Sequence, residues 1–254
     1  MTESEARIVR NMLSVIIPAY NEEEHIVKTL DMIRNFLCEQ DYDYEIIVVD
    51  DGSDDKTAEL ARHWFEKNSR GTVVQLGRNF GKGHAVRTGM LTAHGDYKLF
   101  IDADYSTSIE EIDKCWQKFA DAYDVVIGSR ALRDSRITRR QTALRYVAGK
   151  VFRPLRRILV LRGVRDTQCG FKCFRAGAAN DIFKRVYSDG FIFDVEALFL
   201  ARLLGYKIAE IPVVWTNDPH SKLHTFRDSL RMLYGLVQIR YRHLKGMYRG
   251  SRQE

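Results

Sequence analysis

Three short apolar runs in the first half of the chain each break off at acidic or amide residues. Leu13-Ser14-Val15-Ile16-Ile17 leads into Pro18-Ala19-Tyr20-Asn21-Glu22-Glu23. Glu45-Ile46-Ile47-Val48-Val49 leads into Asp50-Asp51-Gly52-Ser53, and Leu99-Phe100-Ile101 into Asp102-Ala103-Asp104. Continuous Ile/Val runs of this length predict strands buried on both faces, as in a parallel sheet. Between them the periodicity predicts helices over 21–39, with Ile26, Leu30, Ile33 and Leu37 on one stripe, over 54–68, capped by Ser53 or Asp54, and over 81–94. A strand at 72–76, a helix at 109–120 and a strand at 124–128 continue the alternation. Such alternation implies a largely parallel sheet with right-handed crossovers. Past Ser129 the pattern loosens into a basic helical stretch at 139–161, a helix at 193–204, a strand at 208–215 and a final helix at 225–247. The expected fold class is α/β, a mainly parallel central sheet flanked by helices, with a basic helical C-terminal part.

Open α/β sheets bind ligands at the carboxyl ends of their strands, and here three strands end in polar clusters. Asp102 and Asp104, two residues apart, share a face of an extended segment. Two carboxylates so placed suit one hard cation, Mg²⁺ or Mn²⁺, whose remaining ligands are phosphate oxygens and water. A lone Asp-x-Asp is more often a solvated turn, so its weight comes from its neighbours. Gly77-Arg78-Asn79-Phe80-Gly81-Lys82-Gly83 precedes a helix, where glycines let backbone N–H groups approach an anion. Its spacing matches neither a Walker loop nor a Rossmann fingerprint, which argues against kinase-type and dehydrogenase chemistry. Arg130 ends an apolar strand as the aspartates do and should face the same edge. With Arg139 or Arg140 it suits an acceptor phosphate, which guanidinium binds bidentately. Lys222 is a further candidate to close over a phosphate.

A length of 254 residues, 45% of them hydrophobic, supports one sizeable domain. No run approaches the ~18 apolar residues of a membrane span, and the polar stretch 1–11 does not read as a secretory signal. Cys38, Cys115, Cys169 and Cys173 are scattered and read as reduced structural thiols. The net charge of +6 is unevenly spread: 136–165 holds ten Arg/Lys and no Asp/Glu, and 227–254 holds seven Arg/Lys against two acids. This asymmetry predicts an anionic partner for the C-terminal half, either nucleic acid or an anionic membrane surface. No nucleic-acid-reading motif is present, and the acidic first half opposes that class. In the final helix Phe226, Leu230, Leu233, Val237, Leu244 and Met247 fall near one stripe, with Arg231, Arg242, Lys245 and Arg249 elsewhere. That face suits either a membrane interface or packing on the core. The stretch 150–161 (KVFRPLRRILVL) is the better membrane candidate, with Pro154 interrupting any continuous helix.

Taken in order, Pro18 to Glu23, Val49 to Ser53, Asn79 to Gly83 and Asp102 to Asp104 resemble an inverting family 2 glycosyltransferase of the GT-A fold. Gly128-Ser129-Arg130, Arg165-Asp166-Thr167-Gln168-Cys169-Gly170-Phe171-Lys172, Phe193-Asp194-Val195-Glu196 and Ser221-Lys222-Leu223 are similar to dolichyl-phosphate β-glucosyltransferases and their prokaryotic relatives. The resemblance covers about 13–247. It implies a nucleotide-sugar-binding half (12–130), an acceptor-binding half (131–224) and a basic amphipathic helix (225–254). It further implies that Pro18, Tyr20, Asn21, Glu22, Asp50, Asp51, Ser53, Asn79, Gly81, Lys82, Asp102 and Ala103 hold the nucleotide sugar, with UDP-glucose expected and GDP-mannose the alternative. Asp102 and Asp104 would hold the cation, Arg130, Arg139, Arg140 and Lys222 the acceptor phosphate, and Asp166 and Asp194 would join Asp102, Asp104 and Arg130 in catalysis. Two departures point to a prokaryotic or divergent member. No anchor-like stretch precedes the domain, and Tyr105-Ser106-Thr107 stands where the eukaryotic enzymes carry a Gly-Ala-Thr-like run.

The acceptor decides the mechanism. A polyprenyl (dolichyl-type) monophosphate is already anionic near neutral pH, so alignment and charge stabilisation suffice. A saccharide hydroxyl needs a carboxylate base, for which Asp166, Asp194 and Glu196 are the candidates. The expected setting is cytoplasmic, peripheral on the cytoplasmic face of a membrane.

Overall fold

The structure, a computed structural model, describes residues 12–138, 163–216 and 225–250, the side chains of 225–230 excepted. Arg139, Arg140, Lys222, the helix expected at 139–161 and the membrane candidate at 150–161 lie outside the described residues.

The first three units follow the sequence pattern closely. They comprise β1 (Met12–Ala19), α1 (Ile26–Leu37), β2 (Asp43–Asp50), α2 (Thr57–Lys67), β3 (Gly71–Gln75) and α3 (Lys82–Thr92). Next come β4 (Tyr97–Ile101), a 3₁₀ turn at Ile109–Glu111, α4 (Ile112–Ala120) and β5 (Val125–Ser129). The expected strand at 208–215 is two, β8 (Ile208–Pro212) and β9 (Val214–Trp215), the latter paired with a short β6 (Arg136–Ile137). Three further elements are β7 (Phe171–Arg175), α5 (Ala176–Phe183) and α6 (Phe193–Leu203); the last, α7 (Thr225–Leu244), runs into a 3₁₀ turn at Met247–Arg249.

Seven strands form one sheet in the order β3-β2-β1-β4-β7-β5-β8. All neighbours run parallel except β7, which is antiparallel to both β4 and β5. The reversal matters for the site. The segment entering β7 reaches the same edge at which β1, β2, β4 and β5 end.

Period-2 alternation divides the core between two faces. Leu13, Val15 and Ile17 of β1 pack with α1, α2 and α4 through Leu30, Ile33, Trp64, Trp116 and Phe119. Ile16, Ile47 and Val49 face the other way, toward α3, α5, α6 and α7, through Val86, Met90, Ile182, Leu198, Leu236 and Ile239. The inward face of α7 is therefore built from Leu236 and Ile239, both fully buried. Of the stripe read from the sequence, Leu233, Val237, Leu244 and Met247 are exposed, Leu244 by 79%, while the side chains of Phe226 and Leu230 lie outside the described residues. Both stripes are apolar, so periodicity alone could not orient this helix.

Candidate active site

Sheet order converts separate sequence motifs into one cluster. With β2, β1 and β4 adjacent and parallel, Asp50, Ala19 and Ile101 close the same edge. The loops beyond them are knitted together: Asn21 N–H donates to Ser53 Oγ (2.8 Å), Glu22 N–H to Thr57 Oγ1 (2.7 Å), Asp54 N–H to Asn21 Oδ1 (2.8 Å) and Asp51 N–H to the Ala19 carbonyl (2.8 Å). Asn21 and Ser53 thus spend part of their polar capacity on the scaffold. Beside them a cleft of about 540 Å³ is lined by Tyr20, Ser53, Asp54, Gln75, Arg78 and Asn79 among others. Asp50 is fully buried; its Oδ2 accepts from Ser53 N–H (3.3 Å), while Oδ1 has no hydrogen-bond partner.

Asp51 points to the glycine-rich turn instead. Its two oxygens accept from Phe80 N–H (2.9 Å) and Gly81 N–H (2.8 Å), and burial raises its pKa against those bonds. The turn delivers Lys82 at the start of α3, with Nζ 2.6 Å from Asp102 Oδ1. Burial disfavours the ammonium, but Asp102, then Asp194 and Asp104, outweigh it and raise the Lys82 pKa. Despite this proximity, buried Asp102 Oδ1 receives no well-formed hydrogen bond. Asp104 accepts from Ser106 N–H (2.9 Å); burial and then Asp102 push its pKa up. Ala103, buried between them, offers its carbonyl to Thr29 Oγ1–H (2.6 Å). Asp102 reaches its position because residue 170 is glycine: a Cβ there would lie 1.8 Å from Asp102 Oδ2.

From the β5 end, Arg130 donates through Nε to Asp166 Oδ2 (2.7 Å), through Nη2 to Asp166 Oδ1 (3.0 Å) and through its backbone N–H to Oδ2 (3.0 Å). Its guanidinium also lies 5.2 Å over the Trp215 ring. Burial penalises both charges, yet each holds the other ionised: the Arg130 pKa is raised and the Asp166 carboxyl is held well below the usual carboxylate range. On α6, Asp194 accepts from Lys172 Nζ (2.6 Å), a lysine with no exposed surface that also donates to the Cys169 carbonyl (2.6 Å). Burial raises the Asp194 pKa, opposed by Lys172 and Lys82.

The edge therefore gathers Asp102, Asp104, Lys82, Arg130, Asp166 and Asp194. Glu196 does not join them. Two residues along α6, it turns to the far side of the helix, where Arg242 Nη1 and Tyr248 OH donate to it at 3.0 and 2.5 Å. Three contributors escaped the sequence reading: Lys172 as counter-ion to Asp194, Trp215 under Arg130, and Gln168, whose Nε2 contacts Met232 Sδ of α7 at 3.6 Å. Lys172 and Gln168 lie inside a motif singled out above; Trp215 carried no signal.

Comparison with known proteins agrees with this geometry. The chain is 37% identical to a dolichyl-phosphate beta-glucosyltransferase of Dictyostelium discoideum over 98% of its own length and 80% of that protein's. The human protein of the same description is 35% identical over 93% and 77%. Among solved structures, glucosyl-3-phosphoglycerate synthase from Mycobacterium tuberculosis in complex with UDP superposes with a TM-score of 0.68 at 21% identity, over 91% of this chain and 80% of that one. The same synthase with Mn²⁺, UDP and glucosyl-3-phosphoglycerate gives 0.64 at 21% identity, over 90% and 78%. The family description that matches residues 14–183 is Glycosyl transferase family 2; the chain belongs to that family and is a glycosyltransferase of the GT-A fold.

Proposed function

We propose that this enzyme transfers glucose from UDP-glucose, with inversion, to a polyprenyl phosphate of dolichyl type, releasing UDP. The observation that carries this reading is that every candidate base is already matched to a cation: Asp166 to Arg130, Asp194 to Lys172 and Glu196 to Arg242. A hydroxyl acceptor would need one of them to give up its cation in taking a proton, at a cost for a buried pair. A phosphate acceptor needs none, and Arg130, fixed at the edge by Asp166, supplies guanidinium N–H groups to seat it.

Asp102 and Asp104 fit a hard cation. They bring carboxylates from one short segment together, the buried Asp102 Oδ1 is met by Lys82 Nζ alone at 2.6 Å, and Gly170 leaves space for the Asp102 carboxylate. No third acidic, His or Cys ligand joins them among the described residues, so a bound Mg²⁺ or Mn²⁺ would complete its shell with donor oxygens. Such a cation would neutralise the departing diphosphate. The chain's own residues do the rest. The 540 Å³ cleft takes the nucleoside, Lys82, delivered by the turn that Asp51 and the Asp189 carbonyl hold, meets the diphosphate, and Arg130 aligns the acceptor oxygen against the anomeric carbon.

The lipid acceptor calls for a membrane seat. No helix among the described residues is long and apolar enough to cross a membrane. The outer face of α7 exposes Leu233, Val237, Tyr241 and Leu244 beside exposed Arg231, Arg240 and Lys245, and 229–250 contains no Asp or Glu. An anionic, cytoplasmic membrane face is the surface such a helix fits. Incubation with UDP-glucose, GDP-mannose and polyprenyl phosphate, followed by the mass of the lipid product, tests the assignment. A lipid gaining one hexose from UDP-glucose alone supports it; turnover of either donor without lipid product refutes it.

A further inference from the structure

The turn before α3 is held from two sides. Asp51 grips Phe80 and Gly81 from the sheet. Opposite, the backbone carbonyl of Asp189 accepts from Gly83 N–H (2.7 Å) and His84 N–H (3.1 Å). That carbonyl presses so close that a Cβ on Gly81, which has φ +110°, would lie 2.6 Å from it. Asp189 belongs to the loop joining α5 to α6, whose backbone is bonded by one buried side chain; Arg242 Nη1 also reaches Ser188 Oγ at 3.3 Å and His84 Nδ1 the Asp189 Oδ1 at 3.3 Å. Tyr187 N–H and Ser188 N–H both donate to Glu196 Oε2, at 3.0 and 2.7 Å. The other oxygen, Oε1, accepts from Arg242 Nη1 and Tyr248 OH in the C-terminal segment.

Glu196 is thus a fully buried carboxylate whose four donors come from two separate segments. Burying a charge is costly unless it is paired and bonded, and a simple core contact would need no charge at all. The arrangement instead ties three pieces to a fixed geometry: α6, the loop that backs the glycine-rich turn, and the end of α7. Tyr187 reinforces the joint, its ring 5.9 Å from that of Tyr248 and 5.3 Å from the Arg242 guanidinium.

We propose that Glu196 is a positioning residue for donor binding. Through Tyr187 and Ser188 it sets the Asp189 carbonyl, and through that carbonyl the Gly83 and His84 amides and Lys82, so that the diphosphate seat depends on how the C-terminal helix is docked. This rests on the reading of that turn as the donor's phosphate seat. A wholly structural role would affect stability everywhere and donor binding nowhere in particular.

The test uses Glu196→Gln, which keeps the volume but must turn an NH₂ toward one pair of donors, and Tyr248→Phe, which keeps the ring and cuts the hydroxyl's bond from the C-terminal segment to Glu196. Amide hydrogen exchange on the ligand-free protein is the first readout. Gly83 and His84 should exchange about tenfold faster in Glu196→Gln, the scale of losing one bond to a charged group, with the amides of β1 and β4 unchanged. Tyr248→Phe should show the same pattern more weakly. The second readout is kinetic: KM for UDP-glucose should rise about tenfold while KM for the lipid phosphate holds. Unchanged exchange at Gly83 and His84, or a uniform rise through β1 and β4, would overturn the proposal, as would a rise confined to the acceptor's KM. If Glu196→Gln fails to fold, Tyr248→Phe decides by the same criteria. Failure of the functional reading would look different: wild-type protein would not use UDP-glucose, while the exchange result would still decide the role of Glu196.

Discussion

Arg130 and Asp166 face each other through two parallel side-chain bonds, 2.7 Å from Nε to Oδ2 and 3.0 Å from Nη2 to Oδ1. A residue expected to seat a phosphate is thus itself seated, with side chains only 21% and 11% exposed. Arg130→Ala should depress transfer by on the order of thirty- to a thousand-fold, the cost of losing a charge-assisted contact in the transition state. Arg130→Lys should recover part of this, since lysine lacks the planar fork. Steady-state rates at saturating donor check the series; near-normal transfer by Arg130→Ala would contradict it.

The same pair predicts a pH effect. Burial disfavours the Asp166 carboxylate, but Arg130 and the N–H groups of Arg130 and Gln168 more than offset it and lower its pKa; Cys169 and Glu210 are the other titratable groups beside it. A folded value below the unfolded one of about 3.9 gives stability that is present above about pH 4 and lost as pH falls toward the folded value. Asp166→Asn should cost about 3 kcal/mol at neutral pH. Thermal melts from neutral to strongly acid pH should show the gap to wild type closing below about pH 4. A gap independent of pH would count against the pair.

Lys82 stands 2.6 Å from Asp102, a carboxylate proposed to hold the cation. Lys82→Met should therefore tighten binary Mn²⁺ binding while weakening that of UDP, by roughly tenfold each. Mn²⁺ titration followed by electron paramagnetic resonance, and UDP titration calorimetry, read the two effects separately. Weaker Mn²⁺ binding in the variant would show that lysine and cation do not compete.

Gly170→Ala should cost about a hundredfold in turnover through a displacement of order 1 Å. The new Cβ would meet Asp102 Oδ2 at 1.8 Å and Cγ at 2.1 Å, so the carboxylate must move. Full activity with an unchanged fold would show that the position of Asp102 matters less than argued.

On the outer face of α7, Val237→Glu and Leu244→Glu should sharply reduce co-sedimentation with anionic vesicles. Both positions are exposed, by 55% and 79%, so the fold should tolerate the change. Wild type should be released by salt or alkaline carbonate. Undiminished vesicle binding by both variants would place the membrane seat elsewhere.

The donor side was legible in the sequence because it is local: β1, β2 and β4 announce themselves as Ile/Val runs, and the carboxylates follow directly. What escaped reading was set by distant partners. The five residues of β7 carry the buried Lys172, whose charge obscures a strand pattern until Asp194, 22 residues away, is seen to pair with it. Glu196 looked like Asp194 in sequence, yet helical geometry turns the two to different sides of α6. In α7 two apolar stripes compete, and only contact between Gly235 and Ile192, with Leu236 and Ile239 in the core, shows which faces inward.

The claim that a phosphate oxygen attacks the anomeric carbon is tested most directly by the product's stereochemistry and connectivity. UDP-glucose labelled with ¹³C at the anomeric carbon would be incubated with polyprenyl phosphate and the lipid product examined by ¹³C and ³¹P NMR. A β-linked glucose whose C1 couples to a single phosphorus, with UDP as co-product, is the expected result. An α-linked product, or label appearing on a saccharide hydroxyl while the lipid stays unlabelled, would contradict it.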